Sequence, residues 1–296
     1  MTLPGERPFP LAANALGKVI IVSTHYKPRA QELARRLVVS AESAGAQVVT
    51  DLDGVMPLQS LANDADLVIA VGGDGTLLGT ARRLTGCLVP VVGVNLGKLG
   101  FLAEHSFEDV LAYLEGAAPE GWRLSPKMML EVMLNGDVDG RRFALNDVIV
   151  SQGVMTRLIN IGMEVDGLHA TEYRADGLVV STPTGSTAYS LSLGGPILGQ
   201  GLRAIVVTPI APHSLTNRPI VLEGESEITF EVLSGVDELA LVVDGQERLE
   251  LAQGDRFSIR AAPTDLLLVS SGRLTYFDVL RHKLGWGTRP YLDEVN

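Results

Sequence analysis

The stretch LVIAVGGDGTLLGTARRL, Leu67 to Leu84, constrains this chain more than any other. It opens on an apolar run without alternation, the pattern of a parallel strand buried on both faces. It closes with Leu77, Leu78, Ala81 and Leu84 along one helical face. Between the two stand Gly72, Gly73 and Gly75 around a single acid, Asp74. Strand, glycine turn and helix make a local anion site. Glycine lets the backbone come close, and a helix start presents unpaired N–H groups and a partial positive charge. Thr76 is expected to cap the helix. A carboxylate in such a turn is awkward beside phosphate unless a metal ion or a proton transfer compensates. The alternative is a plain strand-to-helix corner whose aspartate caps its own backbone.

Apolar runs and helical patterns alternate around the turn. KVIIVST (Lys18 to Thr24), AQVVT and LVPVVGVN read as further buried strands, and RAQELARRLVVSAESAG sets Leu33, Leu37 and Val38 at helical spacing. SFEDVLAYLEG carries Ser106 and Asp109 in capping-box spacing and ends on Gly116. These features define an α/β domain with an open, mostly parallel sheet over about residues 15–118. From about 125 to 272 the period changes: Ile228, Phe230 and Val232 alternate with Thr229 and Glu231, and Phe257 with Ile259 repeats the pattern. Asn135-Gly136, Asp166-Gly167 and Asp244-Gly245 are hairpin dipeptides. A mostly antiparallel, sandwich-like β domain is expected there, with residues 273–296 packing back on the first domain.

Composition narrows the partners. Against 24 lysines and arginines stand 35 aspartates and glutamates, a net charge of −11. That balance argues against nucleic acid and anionic membrane surfaces, which need a basic face. It leaves room for phosphate held by backbone N–H groups and a few arginines. A single cysteine, Cys87, excludes an internal disulfide and a cysteine-rich zinc site. MTLPGERPFPLAANALGK reads as neither signal nor transit peptide, and no apolar run reaches the roughly 18–20 residues of a membrane span. A cytoplasmic protein is expected.

Familiar motifs are missing. The dinucleotide fingerprint G-x-G-x-x-G requires glycine where Leu78 stands and belongs after a first strand, whereas this turn follows the third. GVNLGKLG is too short for a P-loop and has Leu99 in place of the hydroxyl residue. Ser186 lacks the flanking glycines of a nucleophile elbow. The histidines, at 25, 105, 169, 213 and 282, show no metal-ligand spacing.

GGDGT has company. Asn146-Asp147 lies in ALNDVIV, and a long polar, glycine-rich passage follows, YRADGLVVSTPTGSTAYSLSLGGPIL. LVVDGQE and LRHKLGW come after it. In this order and at these separations the sequence closely resembles the bacterial NAD kinase family, from about Lys18 to Trp286. GGDGT alone is shared with lipid kinases of the diacylglycerol and sphingosine type, so such a kinase is one alternative. A non-catalytic dinucleotide-binding sensor that kept the fold is another. The dinucleotide passage and the lack of a basic or amphipathic membrane-facing segment weigh against the first. The presence of Asp74 beside intact glycines weighs against the second.

The resemblance implies an α/β domain followed by a β-sandwich-like, dinucleotide-binding domain, with the site in the cleft between. The implied reaction moves the terminal phosphate of ATP to the 2′-hydroxyl of the adenosine ribose of NAD, giving NADP and ADP. Mg²⁺ or another divalent cation enters with ATP, and no metal is held by protein alone. By resemblance Asp74 is the base that accepts the hydroxyl proton, with Gly72, Gly73, Gly75 and Thr76 forming the phosphate turn. Asn146 and Asp147 match the pair that holds the adenosine portion. Thr187, Ala188, Tyr189, Ser190, Leu191 and Ser192 match the segment that wraps the dinucleotide, where Tyr189 can stack on a flat ring. Asp176, near the nicotinamide end, and Gln246 fall on binding positions, while Asp244-Gly245 keeps a hairpin role. Arg157 and Arg174 are the cationic candidates, because guanidinium pairs well with phosphate. Family members are homo-oligomers, dimers or tetramers, and Arg157 is a candidate to act across a subunit boundary.

Overall fold

Four short runs rich in β-branched residues, Lys18–Val22, Gln47–Asp51, Leu67–Val71 and Pro90–Val94, lie side by side as parallel strands. They belong to a seven-stranded sheet in the computed structural model, which describes residues 5–97, 100–153, 158–214, 216–234 and 238–285. Alternate residues point to opposite faces. Val19, Ile21, Leu67 and Ile69 pack with helices Pro28–Ser43 and Phe107–Leu114, while Ile20, Val22 and Val68 pack with helix Asp74–Arg83. Burial on both faces is why these strands read as unbroken apolar runs. Ser106 and Asp109 form the expected capping box at the start of Phe107–Leu114.

Across the sheet the order is Gln47–Asp51, Lys18–Val22, Leu67–Val71, Pro90–Val94, then Leu266–Ser270, Arg123–Lys127 and Arg7–Pro8. The chain steps from Lys18–Val22 outward on one side, then crosses back to continue on the other. Direction therefore reverses between Lys18–Val22 and Leu67–Val71, and a crevice opens past their carboxyl ends, where open α/β sheets bind ligands.

The second half is two six-stranded antiparallel sheets packed face to face. One runs Leu168–Ala175, Ile159–Val165, Ile228–Ser234, Arg256–Ala261, Leu130–Leu134, Arg142–Ala144. The other runs Ile220–Glu223, Ala204–Ile210, Gly177–Ser181, Asp147–Gln152, Leu239–Val243, Glu247–Glu250. Inward residues of both make one core, in which Phe230 and Phe257 stack with centroids 5.0 Å apart. Asp166 and Gly167 (φ 51° and 76°) and Asp244 and Gly245 (φ 48° and 65°) hold the left-handed backbone of tight hairpin turns.

The boundary between halves differs from the sequence expectation. Leu266–Ser270 pairs parallel with Pro90–Val94 and antiparallel with Arg123–Lys127, so the chain re-enters the first sheet before residue 273. The reason is burial: Val269 joins the core on one face of that sheet and Leu266 and Leu268 the core on the other. Helix Tyr276–Leu284 follows, capped by Thr275 and Asp278. It touches both halves, with Tyr276 Oη donating to the Leu198 carbonyl at 2.9 Å and the Lys283 ammonium 5.9 Å from the Phe101 ring centroid. Residues 286–296, the remainder of the segment expected to return, lie outside the described residues.

Candidate active site

Strand Leu67–Val71 ends at the crevice, and the glycine turn follows at once. Gly73 (φ 99°) takes a backbone conformation that side chains resist and serves as the helix N-cap, so the helix begins at Asp74. Thr76 is therefore not the cap expected of it. It sits in the first turn, its N–H donating to the Gly73 carbonyl at 3.1 Å, because the left-handed Gly73 starts the helix earlier. A Cβ on Gly73 or Gly75 would meet no protein atom within 4 Å. Gly75 has neither unusual backbone nor crowding to account for it, and open space above its backbone suits a ligand's close approach.

Asp74 does not cap its own backbone. Its Oδ1 accepts N–H bonds from Leu102 at 3.1 Å and Ala103 at 2.9 Å, and its Oδ2 accepts one from Phe101 at 2.9 Å. These donors come from the loop after Pro90–Val94, the neighbouring strand. Gly100 is required for the fit, since a Cβ there would lie 2.1 Å from Asp74 Oδ1. A carboxylate offers about four lone-pair directions. Among the described residues three are taken, and the one left is on Oδ2.

The second half closes on this turn through helix Asp74–Arg83. Gly75, Gly79 and Arg82 fall at helical spacing on the side that meets the hairpin after Leu239–Val243. Gln246 Nε2 donates to the Gly75 carbonyl at 3.0 Å, and its Oε1 accepts from Arg82 at 2.9 Å. Arg82 also reaches Glu247 at 3.1 Å and Asp244 at 3.5 Å. Asp244, its side chain fully buried, accepts N–H bonds from Leu145 (2.9 Å), Asn146 (2.8 Å) and Asp147 (3.2 Å). Burial pushes the Asp244 carboxyl up from its ordinary value, and those backbone donors and Arg82 pull against it.

Asn146 and Asp147 are thereby fixed beside the glycine turn's helix. Asp147 is almost fully buried and accepts a bond from the Tyr189 backbone. Burial and the nearby Asp244 raise its carboxyl to about 7. The passage after Gly177–Ser181 packs on the same pair. Thr182 Oγ1 donates to the Leu145 carbonyl at 2.6 Å, and a Cβ on Gly185 would lie 2.0 Å from the Asn146 carbonyl. Ser190 Oγ shares a 2.9 Å bond with Thr208 Oγ1, which anchors the short turn of helix Tyr189–Ser192. Tyr189 itself stays 40% exposed, a ring free to meet a ligand.

The structure thus brings together Gly72 to Thr76, Asn146, Asp147, the segment Thr187 to Ser192, and Gln246. It holds Arg174 and Asp176 apart, at the opposite end of strand Gly177–Ser181, about 20 Å from Thr182 at strand rise. There Asp176 N–H donates to Ile210 and the Arg174 carbonyl accepts from His213. Arg157 lies outside the described residues. Sequence reasoning missed Arg82 and the Phe101–Ala103 loop and assigned Asp244 only a turn. The Gly75–Gly79–Arg82 stripe was the available signal for the first. Among the described residues no three His, Cys, Asp or Glu side chains gather as a metal group, and no helix is long and apolar enough to cross a membrane.

A glycine turn at a sheet's switch point, a carboxylate in it with one lone pair to spare, and a second domain offering an amide, a carboxylate and an exposed aromatic define a nucleotide-dependent phosphotransferase with a cleft for two ligands. Comparison with known proteins narrows the class. Residues 55–118 match the ATP-NAD kinase N-terminal domain and residues 145–271 its C-terminal domain. The NAD kinase of Geobacter sulfurreducens is 40% identical over 283 residues, covering 92% of this chain and 99% of that one. That of Geotalea daltonii is 45% identical over 232 residues, covering 77% and 81%. Yeast NADH kinase, solved with NADH, superposes with a TM-score of 0.78 at 26% identity over 94% of this chain and 90% of that one. The NAD kinase of Archaeoglobus fulgidus, solved with ATP, gives 0.68 at 26% identity over 90% and 97%. The chain belongs to the ATP-NAD kinase family.

Proposed function

We propose how this cleft carries out its family's reaction. The chain is an ATP-dependent NAD kinase, an enzyme that transfers the terminal phosphate of ATP to the 2′-hydroxyl of the adenosine ribose of NAD. The observation that carries the proposal is the Asp74 carboxylate, pinned by three N–H groups with one lone pair of Oδ2 left over. A ribose hydroxyl donates to that lone pair and lies in line with the terminal phosphorus. The ribose oxygen–phosphorus bond forms, the bond from that phosphorus to the bridging oxygen breaks, the proton passes to Asp74, and ADP leaves. Such transfers depend on positioning and charge neutralisation more than on covalent help.

Asn146 and Asp147 hold the adenosine portion, the amide donating and accepting at a base edge and the carboxylate accepting from hydroxyls. Thr187, Ala188, Tyr189, Ser190, Leu191 and Ser192 wrap it, with the Tyr189 ring stacking. Gln246 fixes the glycine turn against the second domain, and Gly72, Gly73, Gly75 and Thr76 cradle phosphate. Asp176 and Arg174 serve the far end of an extended dinucleotide, and Arg157 a phosphate contact. A hard divalent cation carried in on ATP would be held beside the turn by phosphate and water oxygens, since the last lone pair of Asp74 takes the ribose hydroxyl. When bound, that cation neutralises phosphate charge. We further propose a cytoplasmic homo-oligomer. The exposed edge strand Leu168–Ala175 supports assembly, and light scattering at known concentration tests it.

The test is NADP formation from NAD and Mg-ATP, with a diol lipid and with NAD binding alone as the other arms. Gly75→Ala sharpens it. Alanine in a helix is worth roughly 0.5–1 kcal/mol over glycine, and its methyl meets no protein atom here. The variant should hold or raise the melting temperature while losing turnover of ATP. Retained activity would remove the ligand's close approach from the account.

A further inference from the structure

The proposed reaction uses only one wall of the switch-point crevice. The other wall is the loop Ser23–Lys27, which leaves strand Lys18–Val22 and enters helix Pro28–Ser43. Because Val22 pairs beside Ala70, the two loops emerge next to each other. Ser23 Oγ donates to the Val71 carbonyl at 3.2 Å, and Lys27 Nζ reaches across to the Gly72 carbonyl at 3.2 Å. That contact uses one of the three donors of an ammonium.

Two hydroxyls in this crevice have no partner among the described residues. Thr76 is 4% exposed, and its Oγ1 has no hydrogen bond. A Cβ on Gly72 would lie 2.2 Å from that oxygen, so the hydroxyl is directed into the turn. Thr24 Oγ1, on the opposing loop, is out of solvent and equally unbonded. Buried hydroxyls seldom go unsatisfied without a ligand to complete them. Lys27 is also the N-cap of a helix with Pro28 at its start and no acid in its first turn, so two helix N-termini of like polarity converge here.

We propose that Lys27 and Thr24 form the second wall of the triphosphate site, Lys27 holding the ATP phosphates as a point charge and the Thr24 and Thr76 hydroxyls donating to their oxygens. The inference rests on ATP being the donor at the glycine turn. It explains how a chain of strongly negative net charge, with a carboxylate in the turn itself, tolerates a polyanion there. Lys27 already leans over the turn, and a ligand phosphate would take up its two remaining donors.

The experiment compares native protein with Lys27→Met and Lys27→Arg, measuring KM for ATP and for NAD, the melting temperature, and calorimetric binding of inorganic tripolyphosphate. A charge-assisted contact of this kind predicts a loss of about tenfold or more in tripolyphosphate affinity and in kcat/KM for ATP. Lys27→Arg should recover most of both, with KM for NAD and melting temperature unmoved. Unchanged tripolyphosphate affinity in Lys27→Met would overturn the proposal. So would a matching loss toward NAD or a fall in melting temperature, which would make Lys27 a tether between loops. Should native protein form no NADP, the functional reading fails, while tripolyphosphate binding still judges Lys27.

Discussion

Asp74 and Asp244 each accept three backbone N–H groups from three consecutive residues, Phe101 to Ala103 and Leu145 to Asp147 respectively. Asp244 has Arg82 as well and a side chain fully shut from solvent, whereas Asp74 is partly open at the crevice. The same donor set makes one carboxylate a joint between domains and leaves the other poised toward a ligand. What separates them is the fourth lone-pair direction, filled in the joint and vacant in the turn. Asp147 is a third case, buried with a single backbone donor and lifted toward neutrality. Hydrogen bonds to a carboxylate thus do not by themselves mark structure or function. The count of what is left over does.

The largest expected effect falls on the joint. Asp244→Ala would leave three backbone N–H groups without an acceptor, while Arg82 keeps Glu247 and Gln246, and each buried donor left unsatisfied costs about 1–3 kcal/mol. Urea unfolding should show that loss, with both substrate affinities falling together. Stability within error of the native protein would dissolve the contrast with Asp74.

Next in size is Gly100→Ala, which acts on the turn alone. Its methyl would overlap Asp74 Oδ1 and push the carboxylate off its donors. Misplacement of about 1 Å can lower turnover by roughly 10²-fold. Steady-state kinetics should show that drop with NAD binding kept; full activity would mean the pinned geometry of Asp74 is immaterial.

The smallest concerns Asp147 and depends on pH. Its folded carboxyl titrates at about 7 against an ordinary 3.8, so between those values the folded protein keeps a proton that the unfolded chain has released. Stability therefore declines as pH rises from about 4 to 7, and the penalty is complete above 7. Asp147→Asn removes it. The variant should be more stable than the native protein at pH 8, with the gap closing toward pH 4. A pH-independent difference in denaturant midpoints would show that Asp147 is charged throughout.

Much of this site was legible because its signals are local. GGDGT, Asn146-Asp147 and the Thr187–Ser192 passage are contiguous, and the hairpin dipeptides announce their own backbone. What escaped was long-range. Arg82 meets its partners more than 160 residues away, and the donors to Asp74 come from a loop whose sequence, GFLA, carries no polar side chain to flag it. Leu266–Ser270 lies within the span of the β half in sequence, yet its unbroken apolar run suits the two-faced burial of the first sheet. Threonine favours the cap position, which points to Thr76, yet Gly73 can adopt a backbone that moves the helix start upstream.

The most direct measurement is turnover and NAD affinity in Asp74→Asn, an amide that keeps the shape but lacks the charge and the proton-accepting lone pair. Loss of a positioned base predicts a fall of about 10²–10⁴-fold in kcat, with the NAD dissociation constant unchanged and the fold intact. NADP formation at the native rate would contradict the assignment of Asp74 as proton acceptor and with it the distinction between turn and joint.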